Sequence, residues 1–75
     1  MEYAEFLGAL QELLQAETVM ERDTILAGLE EWDSLAQMAV MAWLDREFGI
    51  QVQFADITKC RNVDEVAALA GGAIK

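Results

Sequence analysis

Histidine and proline are absent and cysteine occurs once. Only 5 Lys and Arg stand against 14 Asp and Glu, so the 75-residue chain carries a formal charge of −9. Each shortage removes a class of function. Without histidine there is no imidazole base, no Ser-His-Asp triad and no histidine metal ligand. A single cysteine rules out an intrachain disulfide and a cysteine-cluster zinc site. So few cations cannot neutralise the phosphates of a nucleic acid or hold an anionic membrane surface, so neither is an expected partner. No apolar run approaches the roughly 18 residues needed to span a bilayer. The opening MEYAEFLGAL has no basic stretch and does not read as a signal or transit peptide. A lone cysteine fits a reducing compartment, and a cytoplasmic monomer is expected.

What is present is apolar. The apolar share is 55%, too high for a disordered acidic tail. The length supports one small domain, residues 1–75, with a core of marginal size. Phe6, Leu7, Leu10, Leu13 and Leu14 recur at helical spacing and predict an amphipathic helix over residues 2–16. Glu17 to Asp33 reads as a long connection, pinned to the core by Val19, Met20, Ile25, Leu26 and Leu29. A second helix is predicted from Asp33-Ser34 to Phe48, with Val40, Met41, Leu44 and Phe48 inward, Met38 at the margin and Gly49 as the stop. A short helical piece follows over Phe54 to Lys59. Asn62, with Glu65 as capping-box partner, opens a last helix whose core face is Val63, Val66, Ala67, Ala70 and Ile74. Gly71-Gly72 weakens its final turn. No segment alternates as a strand does. The expected fold is all-α: a small four-helix bundle of three main helices, a short third helix and one long loop between helices 1 and 2.

The stretch Trp32-Asp33-Ser34-Leu35 is the informative one. One reading is local: Ser34 with Gln37 fits the S-x-x-Q cap, and Asp33 suits the positive end of the helix dipole. The other makes Ser34 an attachment point, because a helix N-terminus favours a phosphate ester. The carboxylates Glu30, Glu31 and Asp33 have no cleft to act in, and the acidic loop lacks EF-hand spacing, so no catalytic residue and no metal site is expected.

Asp33-Ser34-Leu35, then Leu44-Asp45-Arg46-Glu47-Phe48-Gly49-Ile50, then Val63, resembles the acyl carrier protein family without a gap. The resemblance covers the whole chain. It implies that Ser34 receives 4′-phosphopantetheine from coenzyme A through a phosphopantetheinyl transferase. The arm's thiol would then carry acyl or aminoacyl groups as thioesters. The carrier would do no chemistry itself. It would serve an acyl- or aminoacyl-loading enzyme and ketosynthase, transferase or condensation-type enzymes of a fatty acyl, polyketide or nonribosomal peptide pathway. Asp33 would help the transferase recognise the site, and Leu35 would pack against partners. The alternative is a helical adaptor of the same fold whose serine is never modified.

Two departures from the family stand out. Acidic residues usual on the exposed face of the second helix are replaced by Ala36, Ala39 and Ala42, with Trp43 beside them and Arg46 beyond. A docking face of that kind is more apolar and suits a dedicated set of enzymes. Trp32 takes a place usually held by a smaller residue, and either covers the loop or offers a docking surface. Trp43 is left open in the same way. Cys60, between Lys59 and Arg61, reads as a buried, inert thiol. Met20, Met38 and Met41 read as core or core-edge, and the last two suit a pliable cavity wall.

Overall fold

The computed structural model describes Met1–Lys75 and holds four α-helices and no strand. They are α1 (Tyr3–Leu14), α2 (Ser34–Phe48), α3 (Phe54–Thr58) and α4 (Val63–Ala68), with one 3-10 turn at Leu26–Gly28 in the long connection. The small all-α bundle read from the sequence is the one observed. No helix is long and apolar enough to cross a membrane.

Local signals explain the helix limits. A Glu2–Glu5 capping box opens α1, and Gln15 closes it in the left-handed region at φ 51°. Gly49 closes α2 at φ 67°, where glycine is the least strained residue. Gln53 and Asp56 form a capping box for α3. Asn62 caps α4 by accepting from the Glu65 amide, but the return arm is displaced: the Glu65 carboxylate accepts from the Arg61 amide. That contact, with the Arg61 guanidinium at 3.3 Å, holds the Glu65 carboxyl below its ordinary pKa. The last helix stops at Ala68, ahead of Gly71 and Gly72, which both take positive φ.

Sixteen buried residues, none of them polar or charged, make up the core. Four aromatics line it in sequence: Tyr3 meets Phe6 at 5.7 Å, Phe6 meets Trp43 at 6.0 Å and Trp43 meets Phe48 at 5.5 Å between ring centroids. Trp43 is 6% exposed, so it fills the α1–α2 seam and does not face a partner. Met38 corrects the expectation of a core-edge side chain: it is 46% exposed. The α2 inward row runs through Val40, Trp43 and Leu44, with Met41 and Phe48 half-buried beside it.

The long connection is pinned as expected at Met20 and Leu26, both buried, and Leu29 is half-buried. Val19 and Ile25 differ; both are largely exposed. The reason lies in pairing. The Leu26 amide donates to the Arg61 carbonyl, and the Val63 and Asp64 amides donate to the Thr24 and Arg22 carbonyls. In a stretch so extended, neighbours point to opposite sides, so Leu26 goes in and Ile25 goes out.

A polar clasp sits where α1, the connection and α4 meet. The Tyr3 hydroxyl donates to the Asp64 carboxylate at 2.6 Å, and the Arg22 guanidinium lies 3.7 Å from the Tyr3 ring centroid. Burial and then the Asp64 hydrogen bond push the Tyr3 phenol up from 10.0 to about 12. The folded state thus holds this proton more tightly than the unfolded chain does. Stability from the clasp is complete below pH 10 and is lost as pH rises towards 12. Urea unfolding should show that loss in the parent protein and not in Tyr3→Phe, which should also cost about 1 kcal/mol at neutral pH. The caps carry opposite predictions, read from the same urea midpoints. Gly49→Ala should destabilise by about 1 kcal/mol, and Gln15→Gly should stabilise by about 0.5 kcal/mol.

Candidate functional site

The corner where the long connection enters α2 is built from the cap outward. Asp33 is the N-cap: its Oδ1 accepts from the Ala36 amide at 2.8 Å. The S-x-x-Q reading of Ser34 with Gln37 is therefore corrected. A carboxylate at the positive end of a helix makes a charge-assisted bond, and it displaces a hydroxyl from that role. Ser34 moves to the first helical position, where it is exposed and its hydroxyl is not used for capping. The first-turn amides of α2 that the cap does not bind face the same corner.

The neighbours of Ser34 diverge. Leu35 is the most exposed large apolar residue, at 74%. Trp32 is half-buried against the core, so it covers the connection and also shows an edge to solvent. Two open grooves flank the corner. One, of about 400 Å³, runs between α1 and α2, with Leu13, Ala36 and Ala39 along it and Glu31 and Asp33 on its rim. The other, of about 570 Å³, lies between Ile25, Trp32 and Gln37 on one side and Thr58 to Arg61 on the other.

The alanine face expected on α2 is split by this arrangement. Ala36 and Ala39 are half-buried along the first groove, while Ala42 and Arg46 are exposed. The apolar row open to solvent is Leu35, Met38 and Ala42. Met38 was missed as a surface residue; its place one turn after Leu35 was the available signal.

The ionisable groups do not converge. Asp33 is engaged in the cap, and Glu31 Oε2 accepts from the Glu17 amide at 3.5 Å, a long contact. No group of three His, Cys, Asp or Glu side chains is placed to hold a metal ion. Cys60 is buried, as expected, and its Sγ donates to the Asp56 carbonyl at 3.4 Å. Burial, then the Glu65 and Asp56 carboxylates, pushes its thiol pKa up, which keeps it protonated and a poor nucleophile.

The corner thus offers an exposed primary hydroxyl on a helix N-terminus, with no base arranged to activate it. Free amides suit a phosphate ester, and the flanking grooves give room for a flexible arm. These residues fit a covalently attached phosphate-linked group. Comparison with curated proteins and with solved structures gives no significant match. The family model described as phosphopantetheine attachment site matches residues 4–70, nearly the whole chain. The chain belongs to that family, the one of the acyl carrier proteins, whose group is covalent 4′-phosphopantetheine.

Proposed function

We propose that residues 1–75 act as one carrier domain that holds acyl or aminoacyl intermediates on 4′-phosphopantetheine attached to Ser34. The observation that carries this reading is the capping arrangement: Asp33 takes the cap and leaves the Ser34 hydroxyl exposed at the first position of α2. The attached group supplies a thiol on which an acyl group is held as a thioester. Everything else is done by the chain's own residues. Ser34 Oγ provides the point of attachment, and the α2 amides favour the phosphate beside it. Asp33 keeps the serine in register and presents a carboxylate to a basic transferase surface. Leu35, with Met38 and Ala42, meets the enzymes that load and read the arm. The carrier is non-catalytic; its contribution is delivery, because a tethered substrate reaches each docked enzyme at high effective concentration.

The docking row is apolar where a charge-driven carrier would show carboxylates. That favours a dedicated set of partners in a specialised polyketide, fatty acyl or nonribosomal peptide pathway. Overall charge still steers encounter, since a −9 chain is drawn to basic surfaces. The cytoplasm is the setting proposed for this work.

Intact-mass measurement after incubation with coenzyme A and a broad-specificity phosphopantetheinyl transferase should show one added phosphopantetheine, absent in Ser34→Ala. A folded protein that gains no mass would make Ser34 an unmodified surface residue and the chain an adaptor. Asp33→Ala should lose about 1 kcal/mol of stability with the cap. Asp33→Asn keeps the cap and should still be modified more slowly, which separates recognition from folding. Met38→Glu should leave the urea midpoint unchanged and reduce turnover by the loading enzyme about tenfold, as loss of an interface anchor does. Unchanged turnover would remove the apolar-docking idea.

A further inference from the structure

Of the 4 methionines, Met38 alone is exposed on a helix. Met20 is 2% exposed within the core and Met41 is half-buried against it. Met1 is exposed but belongs to the paired chain ends, where its carbonyl accepts from the Lys75 amide. Met38 is 46% exposed and stands outside the core cluster. It follows Ser34 by four residues on α2, so the two share one face, one helical turn apart. Helical side chains lean towards the N-terminus, which carries the Met38 thioether towards the turn that holds the serine. Leu35 and Ala42 continue the exposed row one turn to either side, and neither has a side-chain hydrogen-bond donor.

We infer that Met38 is a site of reversible oxidation: a peroxide converts its thioether to the sulfoxide, and enzymes that act at Ser34 then grip the carrier less well. The inference rests on the docking reading of the α2 row and adds its regulation. The thioether sulfur attacks one oxygen of hydrogen peroxide. An S–O bond forms as the O–O bond breaks, sulfur gives up two electrons and the second oxygen leaves as water. A thiol-dependent reductase reverses the change, yielding thioether, water and a disulfide. Peroxide reaches Met38 without any opening of the fold, whereas the core shields Met20 and partly shields Met41. Because Met38 lies outside the core, its sulfoxide leaves the packing as it was. What changes is the row, where a flexible apolar side chain becomes a polar one with a strong acceptor oxygen. Covered by a partner between Leu35 and Ala42, that oxygen loses its water and meets no donor on this chain. A leucine would give similar apolar cover without this chemistry. Cys60, the one thiol, is buried and protonated and does not compete for the peroxide.

The test treats the full chain with dilute hydrogen peroxide, removes the excess with catalase and locates the added oxygen by fragment mass. Met38 should oxidise several-fold faster than Met41 and Met20, and the urea midpoint should not move. A broad-specificity phosphopantetheinyl transferase with coenzyme A is then the probe, because an enzyme that reaches the Ser34 hydroxyl covers the next turn of α2. Oxidised carrier should be modified about tenfold more slowly at low carrier concentration, with the loss in KM, and methionine sulfoxide reductases with dithiothreitol should restore the rate. In Met38→Leu the treated and untreated forms should be modified at the same rate, whatever that rate is. Oxidation of Met41 ahead of Met38, a lowered urea midpoint, or a rate loss that persists in Met38→Leu overturns the inference. An unchanged rate for the oxidised parent also overturns it, and Met38→Glu then decides what else falls. If Met38→Glu is slow, the docking reading stands and the redox inference alone is lost; if it is modified at the parent rate, both are lost. A chain that gains no phosphopantetheine in any form overturns the carrier reading itself, and the intact mass separates that outcome from the others.

Discussion

Leu26 lies fully buried in the middle of a connection that has almost no regular structure, and the corner that carries Ser34 depends on it. A loop of this length would be costly to order if it touched the bundle only at its ends. Here the Leu26 side chain enters the core while its amide donates to Arg61, and Thr24 and Arg22 accept from Val63 and Asp64. One apolar side chain and three backbone bonds therefore tie the loop to the start of α4. Arg22, stacked on Tyr3, ties the same loop to α1. With both ends held, Trp32 and Asp33 arrive at α2 in a fixed register.

That register decides what each residue of the corner does. Asp33 and Ser34 compete for one capping position, and the carboxylate takes it because it is charged and the helix end is positive. The hydroxyl is left facing solvent one position further on. The Asp33 cap thus has a structural role and leaves the neighbouring serine hydroxyl exposed. The carrier role proposed for Ser34 needs this division, since an attachment residue must be reachable without unfolding the helix it stands on.

The surface around the corner is divided in the same spirit. The apolar row Leu35, Met38 and Ala42 is open to solvent, the α1–α2 groove has Glu31 and Asp33 on its rim, and the groove at Trp32 has Lys59 and Arg61 on its far wall. What each of these residues meets is set by the side of α2 it occupies. Burial and then the Glu65 and Asp56 carboxylates keep the Cys60 thiol protonated beside the second groove.

Much of this was legible in the sequence because it is local. The apolar spacing of Phe6, Leu10 and Leu14, the stop at Gly49 and the cap at Asn62 act within one or two helical turns, so the four helices and the position of Ser34 at the start of α2 follow from neighbours alone. The DSL and LDREFGI segments at their spacing carried the family. What local spacing does not encode is which way ambiguous residues turn. Trp43 is buried because Phe6 and Phe48 close around it, and Met38 is exposed because Val40, Trp43 and Leu44 already fill the seam. Ile25 is exposed because its neighbour Leu26 is drawn inward by pairing with residues far along the chain. Lys59 and Arg61 come to face Trp32 only when the loop is folded back against the start of α4. The helices, their limits and the place of Ser34 at the start of α2 were thus determined by sequence-local physics. The seam, the exposed row and the charge of the two grooves were decided by long-range packing, where space and backbone pairing choose between orientations that the sequence alone leaves equal.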